Sequence, residues 1–190
     1  MRLVLFDIDG TLIRTSGVGV QAFYRTMASE FGVTDGKARI RFGGRTDTSL
    51  VRELFNHCGV EHTPEQVRRF FDAYVFWLDH LLAESRSGSV CPGVWRLLEA
   101  LAGRRQPPRI GLLTGNIRLG AEIKLRHFDL WQRFETGAFG DDHEDRHRIP
   151  VIARERGGEL LGRPLAGEDI LVVGETEPYS TCGRDIQARA

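Results

Sequence analysis

Two aspartates, Asp7 and Asp9, stand one residue apart directly after the apolar run LVLF. Their charges repel each other unless a cation offsets them, and carboxylate oxygens are ligands that Mg²⁺ prefers. A carboxylate shielded in this way can attack an electrophilic phosphorus, while the second can protonate a leaving group and later deprotonate a water. Gly10 lets the backbone approach a ligand closely. Exposed backbone amides after the strand would then donate hydrogen bonds to the phosphate oxygens of that ligand. An Asp-Gly turn is the structural alternative, but the pattern D-x-D-G-T after an apolar strand favours catalysis.

The composition excludes several classes of partner. Apolar residues make up 41% of the 190-residue chain and charged residues 27%, and the formal net charge is zero. No global field therefore attracts nucleic acid or an anionic membrane. Carboxylates interrupt the N-terminal apolar run, which argues against a signal peptide, and no stretch reaches the roughly 20 apolar residues of a membrane span. Cys58, Cys91 and Cys182 lack metal-site spacing and indicate free thiols, so we expect a reducing, cytoplasmic setting.

The elements that must position these aspartates alternate between strand and helix. Four short apolar runs, each ending in polar or glycine residues, predict buried strands at 2–8, 109–115, 135–142 and 169–175. Helical spacing of apolar residues predicts helices at 94–104, 119–134 and 149–160. This alternation predicts an α/β fold with a doubly wound, Rossmann-like parallel sheet. Ligands of such sheets bind at the carboxyl ends of the strands, where Asp7, Thr114 and Glu175 lie.

Residues 16–88 break the alternation. They contain three amphipathic helical stretches, at 19–32, 48–59 and 63–86. We therefore predict an inserted all-helical cap at 16–88, whose aromatic residues form its own small core, and a catalytic core made of 1–15 and 89–190. Segments 13–19 and 83–93 have the composition of linkers, and side by side they would form a hinge.

The motifs together resemble the haloacid dehalogenase superfamily, specifically its phosphatase branch. FDIDGTL resembles motif I, and LLTGN at 112–116 resembles motif II. FGGRTDTSLVREL at 42–54 resembles the substrate-specificity loop in the helical cap of phosphoglycolate phosphatase-like members. GDDHEDR and ILVVGET fall where motifs III and IV belong.

This resemblance implies roles for individual residues. Asp7 would be the nucleophile that forms an aspartyl-phosphate, and Asp9 the general acid/base. Thr114 would bind the phosphoryl group through its hydroxyl, with backbone amides of Gly10 and Gly115 as further donors. The second aspartate of motif I is absent from members that cleave carbon–halogen bonds, so its presence favours phosphorus chemistry.

Two residues near these motifs have two interpretations each. Asn116 would either hydrogen-bond the nucleophile loop or cap a helix that begins near Ile117. Arg45 would either reach from the cap to the substrate or be a solvated surface charge.

The chain departs from the family pattern in motif III. The motif normally supplies a lysine that neutralises charge on nucleophile and phosphate, and no lysine lies between residues 125 and 190. Arg146 and Arg148 are the candidates, and register against the following proline favours Arg146, whose guanidinium can grip phosphate.

Motif IV departs further. The resemblance implies that Asp7, the backbone carbonyl of Asp9 and an acidic residue of motif IV hold Mg²⁺, and Glu175 occupies that position. The usual second acidic position falls on Tyr179 or Ser180.

Three functional hypotheses follow. The first is a Mg²⁺-dependent phosphatase that hydrolyses a small phosphorylated metabolite. The second is a weakly active or non-catalytic relative that binds phosphate or a partner; the altered motif IV favours it, as does the chain end at Ala190, where the family pattern continues into a helix and a strand. The third is a sugar-phosphate mutase, which shares motif I and the cap.

Overall fold

The computed structural model describes residues 1–34 and 40–174. In this part of the chain the strands are β1 (Leu3–Phe6), β2 (Ile13–Arg14), β3 (Ser89–Val90), β4 (Arg109–Leu113), β5 (Thr136–Ala138) and β6 (Ile170–Val173). The α-helices are α1 (Val18–Phe31), α2 (Asp47–Cys58), α3 (Pro64–Glu84), α4 (Val94–Ala102), α5 (Arg118–His127) and α6 (Ile149–Leu161).

A four-stranded parallel sheet forms the centre of the core, in the order β5-β4-β1-β6. The chain runs from β1 to β4 and β5 on one side and then crosses to β6 on the other. The carboxyl end of β1 is therefore the point where strand order reverses, the usual ligand position of such sheets. The predicted doubly wound, Rossmann-like sheet is confirmed.

Helices cover both faces of this sheet, which explains why β1 is apolar at every position. Val4 and Phe6 pack in one cluster with side chains of α4 and α5, and Leu3 and Leu5 pack in another with side chains of α6. One predicted helix is too long. The run 119–134 is helical only to His127, because Asp129 adopts a left-handed conformation (φ 58°) that turns the chain and buries Leu130.

The inserted helices α1, α2 and α3 share a core of their own, as predicted. Phe23, Phe55, Phe70 and Tyr74 are each at most 1% exposed and belong to one cluster, which is separate from the two clusters on the sheet. β2 and β3 flank the insertion and pair antiparallel, so the two predicted linkers do lie side by side. Their action as a hinge stays a prediction, as do the domain limits at residues 16 and 88.

The expectations about membranes and disulfides concern the same elements. Within residues 1–34 and 40–174 no helix combines the length and the apolar character needed to cross a bilayer. Cys58 and Cys91 are free thiols, and Cys182 lies outside the described residues.

The beginning of α2 docks the helical insertion onto two loops of the core. The backbone N–H of Asp47 donates to the carbonyl of Gly115 at 2.8 Å. The hydroxyl of Thr48 donates to the carbonyl of Gly140 at 2.7 Å. The two core loops also touch each other, because a Cβ added to Gly140 would lie 2.0 Å from the carbonyl oxygen of Gly115. Position 140 therefore requires a glycine.

The substitution Gly140→Ala tests this packing. The added methyl group must push the two loops apart, so we expect the free energy of unfolding to fall by more than about 2 kcal/mol. Gly103→Ala is the matched control, since its Cβ would lie 3.4 Å from the carbonyl oxygen of Glu99 in right-handed helical backbone. That change should alter stability by less than about 1 kcal/mol. Equal effects of the two substitutions on urea unfolding would contradict the described contact.

Candidate active site

The two aspartates lie at the carboxyl end of β1, on one side of a cavity of about 390 Å³. The backbone N–H of Asp7 donates to the carbonyl of Val173 at 2.9 Å. This bond continues the pairing of β1 with β6 and fixes the aspartate at the carboxyl end of β1. Asp7 is 6% exposed, whereas the side chain of Asp9 is 46% exposed. Thr114, at the end of β4, lines the same cavity. The sheet therefore brings the predicted nucleophile, acid/base and phosphate-binding hydroxyl together.

Gly10 lies in a turn of the loop after β1. Its backbone N–H donates to the carbonyl of Ile13 at 2.9 Å, within a turn that requires its φ of 82°. The amide is thus engaged in this arrangement, and its role in binding phosphate stays a prediction. The N–H groups of Ile8 and Asp9 donate to none of the described residues, so the same loop still offers two amides.

A buried lysine that sequence reasoning missed is bonded to Asp9. Lys124 on α5 is 4% exposed, and its Nζ lies 2.9 and 2.8 Å from the two carboxylate oxygens of Asp9 and 2.7 Å from Oδ1 of Asn116. Burial raises the pKa of Asp9, but the charge of Lys124 and the hydrogen bonds from Lys124 and Asn116 outweigh it, so the pKa lies below its usual value. The pair therefore favours the carboxylate form of Asp9.

The sequence does carry a signal for Lys124. It lies between Ala121 and Leu125, both fully buried, on the apolar stripe of α5, where an ion needs a partner. It is also one of two lysines among the 26 lysine and arginine residues of the chain. The motif III pattern falls after residue 125, so it does not point to Lys124.

Arg146, the predicted motif III cation, lines the cavity wall at the edge of the cap. Its Nη1 donates to the backbone carbonyl of Arg45 at 3.1 Å. The charge role predicted for Arg146 stays a prediction, while Lys124 is the cation that contacts Asp9.

Asn116 takes the first of its two predicted roles. Its Nδ2 donates to Asp9 Oδ2 and to the hydroxyl oxygen of Thr114, both at 2.8 Å. Ile117 is the N-cap of α5 and makes no side-chain capping bond. The hydroxyl oxygen of Thr114 accepts a hydrogen bond from Asn116. The hydroxyl proton of Thr114 therefore remains available to donate to another group. Thr114 is 2% exposed and faces the cavity.

The backbone of Arg45, in the segment before α2, packs closely against Gly115. A Cβ at this position would lie 2.0 Å from the backbone carbonyl oxygen of Arg45, so only glycine fits. The guanidinium of Arg45 forms an ion pair with Glu53 and donates to the carbonyl of Ser49. The side chain thus lies along α2, and contact of Arg45 with a substrate stays a prediction.

Asp47 is a second buried charge that sequence reasoning missed. It is 7% exposed, and its Oδ2 accepts from the backbone N–H of Ile117 at 2.8 Å. Burial raises the pKa of Asp47 to about 7. The positive charge of Lys124 and the hydrogen bond from Ile117 oppose this rise, whereas the negative charges of Asp9 and Asp141 add to it. Asp47 was overlooked because threonine and aspartate at 46–47 also suit an ordinary helix start, and Thr46 is indeed the N-cap of α2.

The described part of the metal site fits a hard cation. The carboxylate of Asp7 and the backbone carbonyl of Asp9 offer oxygen ligands, the kind that Mg²⁺ prefers. Among residues 1–34 and 40–174 no group of three or more His, Cys, Asp or Glu side chains converges on one point. Glu175, the predicted third ligand, lies outside the described residues together with Tyr179 and Ser180. The metal role of all three predicted ligands therefore stays a prediction.

Comparison with known families bears directly on this arrangement. A family model described as haloacid dehalogenase-like hydrolase matches residues 4–176. The chain is also 26% identical over 187 residues to the bifunctional riboflavin kinase/FMN phosphatase of Arabidopsis thaliana. That match covers 95% of this chain but 45% of the plant protein, so the chain spans less than half the length of this relative.

Solved structures share the fold. CbbY from Rhodobacter sphaeroides, in complex with phosphate, superimposes with a TM-score of 0.79 at 21% identity and covers 100% of this chain and 84% of its own. A protein described as a predicted phosphoglycolate phosphatase from Haemophilus somnus 129pt superimposes with a TM-score of 0.72 at 17% identity, over 99% of this chain and 83% of its own. The family resemblance predicted from the motifs is confirmed.

The raised pKa of Asp47 predicts how stability depends on pH. The folded protein holds a proton there that the unfolded chain releases near the ordinary carboxyl pKa of 3.8, so wild-type stability should fall as the pH rises from about 4 to 7. In the variant Asp47→Asn the side-chain amide cannot ionise, but its oxygen can still accept from Ile117. This variant should therefore gain stability relative to wild type over this range, by up to roughly 4 kcal/mol above pH 7.

Urea unfolding at a series of pH values measures this gain. Asp72→Asn, exposed on α3, corrects for the change in net charge. A stability difference between wild type and Asp47→Asn that stays constant across the series would contradict the described environment of this carboxyl group.

Proposed function

Since the chain belongs to the family of haloacid dehalogenase-like hydrolases, we propose that it is a Mg²⁺-dependent phosphatase that hydrolyses a small phosphorylated metabolite through an aspartyl-phosphate on Asp7. One observation carries the proposal. Asp7, the Asp9–Lys124 pair and the Thr114 hydroxyl line one end of a single cavity, which is the set of groups that transfer of a phosphoryl group to a carboxylate requires.

The first step transfers the phosphoryl group to Asp7. A carboxylate oxygen attacks phosphorus, the bond from phosphorus to the ester oxygen breaks, and a protonated Asp9 gives its proton to that oxygen. The hydroxyl of Thr114 and the backbone amides of Ile8 and Asp9 donate to the remaining phosphoryl oxygens. Asp9 is the side chain of this set with the greatest exposure, at 46%, which suits a group that must exchange its proton with solvent and substrate.

The second step releases phosphate. A water attacks the same phosphorus, Asp9 takes the proton of that water, and the bond between Asp7 and phosphorus breaks. Asp9 is protonated again at the end and can start the next cycle. Lys124 stabilises Asp9 in the interval when it is a carboxylate, because its Nζ lies within hydrogen-bond distance of both oxygens of that side chain.

In this proposal the metal acts through its positive charge. Asp7, the backbone carbonyl of Asp9 and Glu175 would hold Mg²⁺, which supplies positive charge against the phosphate dianion. The phosphate held by CbbY and the FMN phosphatase activity of the plant relative support a phosphorylated small molecule as substrate.

Asp7→Asn tests the nucleophile. An amide does not attack phosphorus, so turnover of p-nitrophenyl phosphate with Mg²⁺ should fall on the order of 10³-fold or more, with the fold intact by circular dichroism. Asp72→Asn should leave turnover unchanged. Activity near wild type in Asp7→Asn would refute the assignment. Product analysis separates the remaining alternatives, since a mutase would return the phosphoryl group to a sugar hydroxyl rather than to water.

Lys124→Met tests the buried pair. Without the ammonium group, burial should raise the pKa of Asp9. Since the first step needs a protonated Asp9, the alkaline limb of the pH–rate profile should move to higher pH, and kcat should fall by about 10²- to 10⁴-fold. Arg126→Met removes a positive charge from the exposed face of the same helix and should change kcat less than about twofold. An unaltered pH–rate profile in Lys124→Met would show that the lysine does not control Asp9.

A further inference from the structure

The cavity has two chemically different ends. The end at the sheet carries the phosphoryl-transfer groups. The cap wall is lined by residues of the helical insertion, and four apolar side chains of α1, α2 and the loop before α2 belong to it: Val20, Phe23, Phe42 and Leu50. The leaving group of a phosphate ester must lie against this wall, because the sheet end holds its phosphate.

Two buried polar groups interrupt the apolar wall, Asp47 and Tyr74. Asp47 is 7% exposed and Tyr74 is 1% exposed, and both line the cavity. Asp47 uses Oδ2 to accept from Ile117, while its Oδ1 and the Tyr74 hydroxyl make no hydrogen bond to any described residue. Burial raises the pKa of Tyr74 well above its usual value, and the charges of Asp47 and Asp9 add to the rise. The phenol is therefore a stable donor.

The cations near this wall are already engaged. Arg45 is paired with Glu53, and Lys124 is bonded to Asp9 and Asn116. Arg146 lines the cavity as well, and its guanidinium donates to the backbone carbonyl of Arg45. Arg14 also lines the cavity but is exposed at its rim. A second anionic group placed beside Asp47 would thus meet the carboxylate of that residue.

We propose that Asp47 and Tyr74 form the subsite for the leaving group and select an uncharged alcohol that carries a further hydroxyl over one that carries a second carboxylate or phosphate. The hydroxyl donates to Asp47 Oδ1 and accepts from the phenol, while the carbon skeleton packs on the apolar wall. This inference rests on the proposed function, and it adds the chemical class of the substrate.

Two esters of nearly equal size test the preference. 2-Hydroxyethyl phosphate and 2-phosphoglycolate differ in that a hydroxymethyl group in the first is a carboxylate in the second. At about pH 8 we expect wild type to favour 2-hydroxyethyl phosphate by about tenfold or more in kcat/KM. Calorimetric titration of the Asp7→Asn variant with each ester should show the same preference in affinity, independently of turnover.

Variants of the subsite identify its members. Asp47→Asn should reduce the preference at least about fivefold, mainly through a lower KM for 2-phosphoglycolate, while the exposed-charge control Asp72→Asn should retain it. Tyr74→Phe should weaken binding of 2-hydroxyethyl phosphate severalfold, and should weaken binding of ethyl phosphate, which lacks the hydroxyl, by less.

The outcomes separate the two proposals. Equal use of both esters, a preference for 2-phosphoglycolate, or a preference that survives Asp47→Asn would overturn the subsite and leave the phosphatase intact. Failure to hydrolyse p-nitrophenyl phosphate with Mg²⁺ would refute the phosphatase. The calorimetric titrations would then test the subsite independently of turnover, and absence of ester binding would contradict it.

Discussion

The ion pair between the buried Lys124 and Asp9 is the interaction on which the site depends. An ammonium group at 4% exposure is stable only with partners, and here its three acceptors come from two separate loops. The pair thereby joins the loop after β1 to the loop after β4. Asn116 extends the connection to Thr114, so one buried charge orients the proposed acid/base and the proposed phosphate-binding hydroxyl together.

The cap is coupled to the same groups through short contacts. Asp47 accepts from the backbone of Ile117, the residue after Asn116, and the carbonyl of Arg45 lies where a side chain at 115 would be. The loop proposed to bind phosphate is consequently also the loop that receives the cap. A cap that opens must break these hydrogen bonds, and the ion pair between Arg52 and Glu144, so access to the cavity and order in the phosphate loop are linked.

The sequence predicted those parts of the structure that a local pattern determines. The sheet, its helical flanks and the aspartates at the strand end follow from apolar runs bounded by polar residues, and the motif order supplied Thr114 and Asn116. The two buried charges escaped prediction because their meaning depends on tertiary contacts. Lys124 in an apolar stripe and Asp47 at a helix start are locally ordinary, and folding alone brings them to Asp9 and Ile117. The engaged amide of Gly10 likewise depends on a turn whose closing residue lies three positions further along the chain.

The stereochemistry of the reaction at phosphorus tests the central claim most directly. A phosphorothioate ester made chiral at phosphorus with two oxygen isotopes would be hydrolysed in water of the third isotope, and the configuration of the released thiophosphate determined. Attack by Asp7 followed by attack of water comprises two in-line displacements, each of which inverts the centre, so the account predicts net retention. Net inversion would mean that water attacks the ester directly, and it would contradict a covalent intermediate on Asp7.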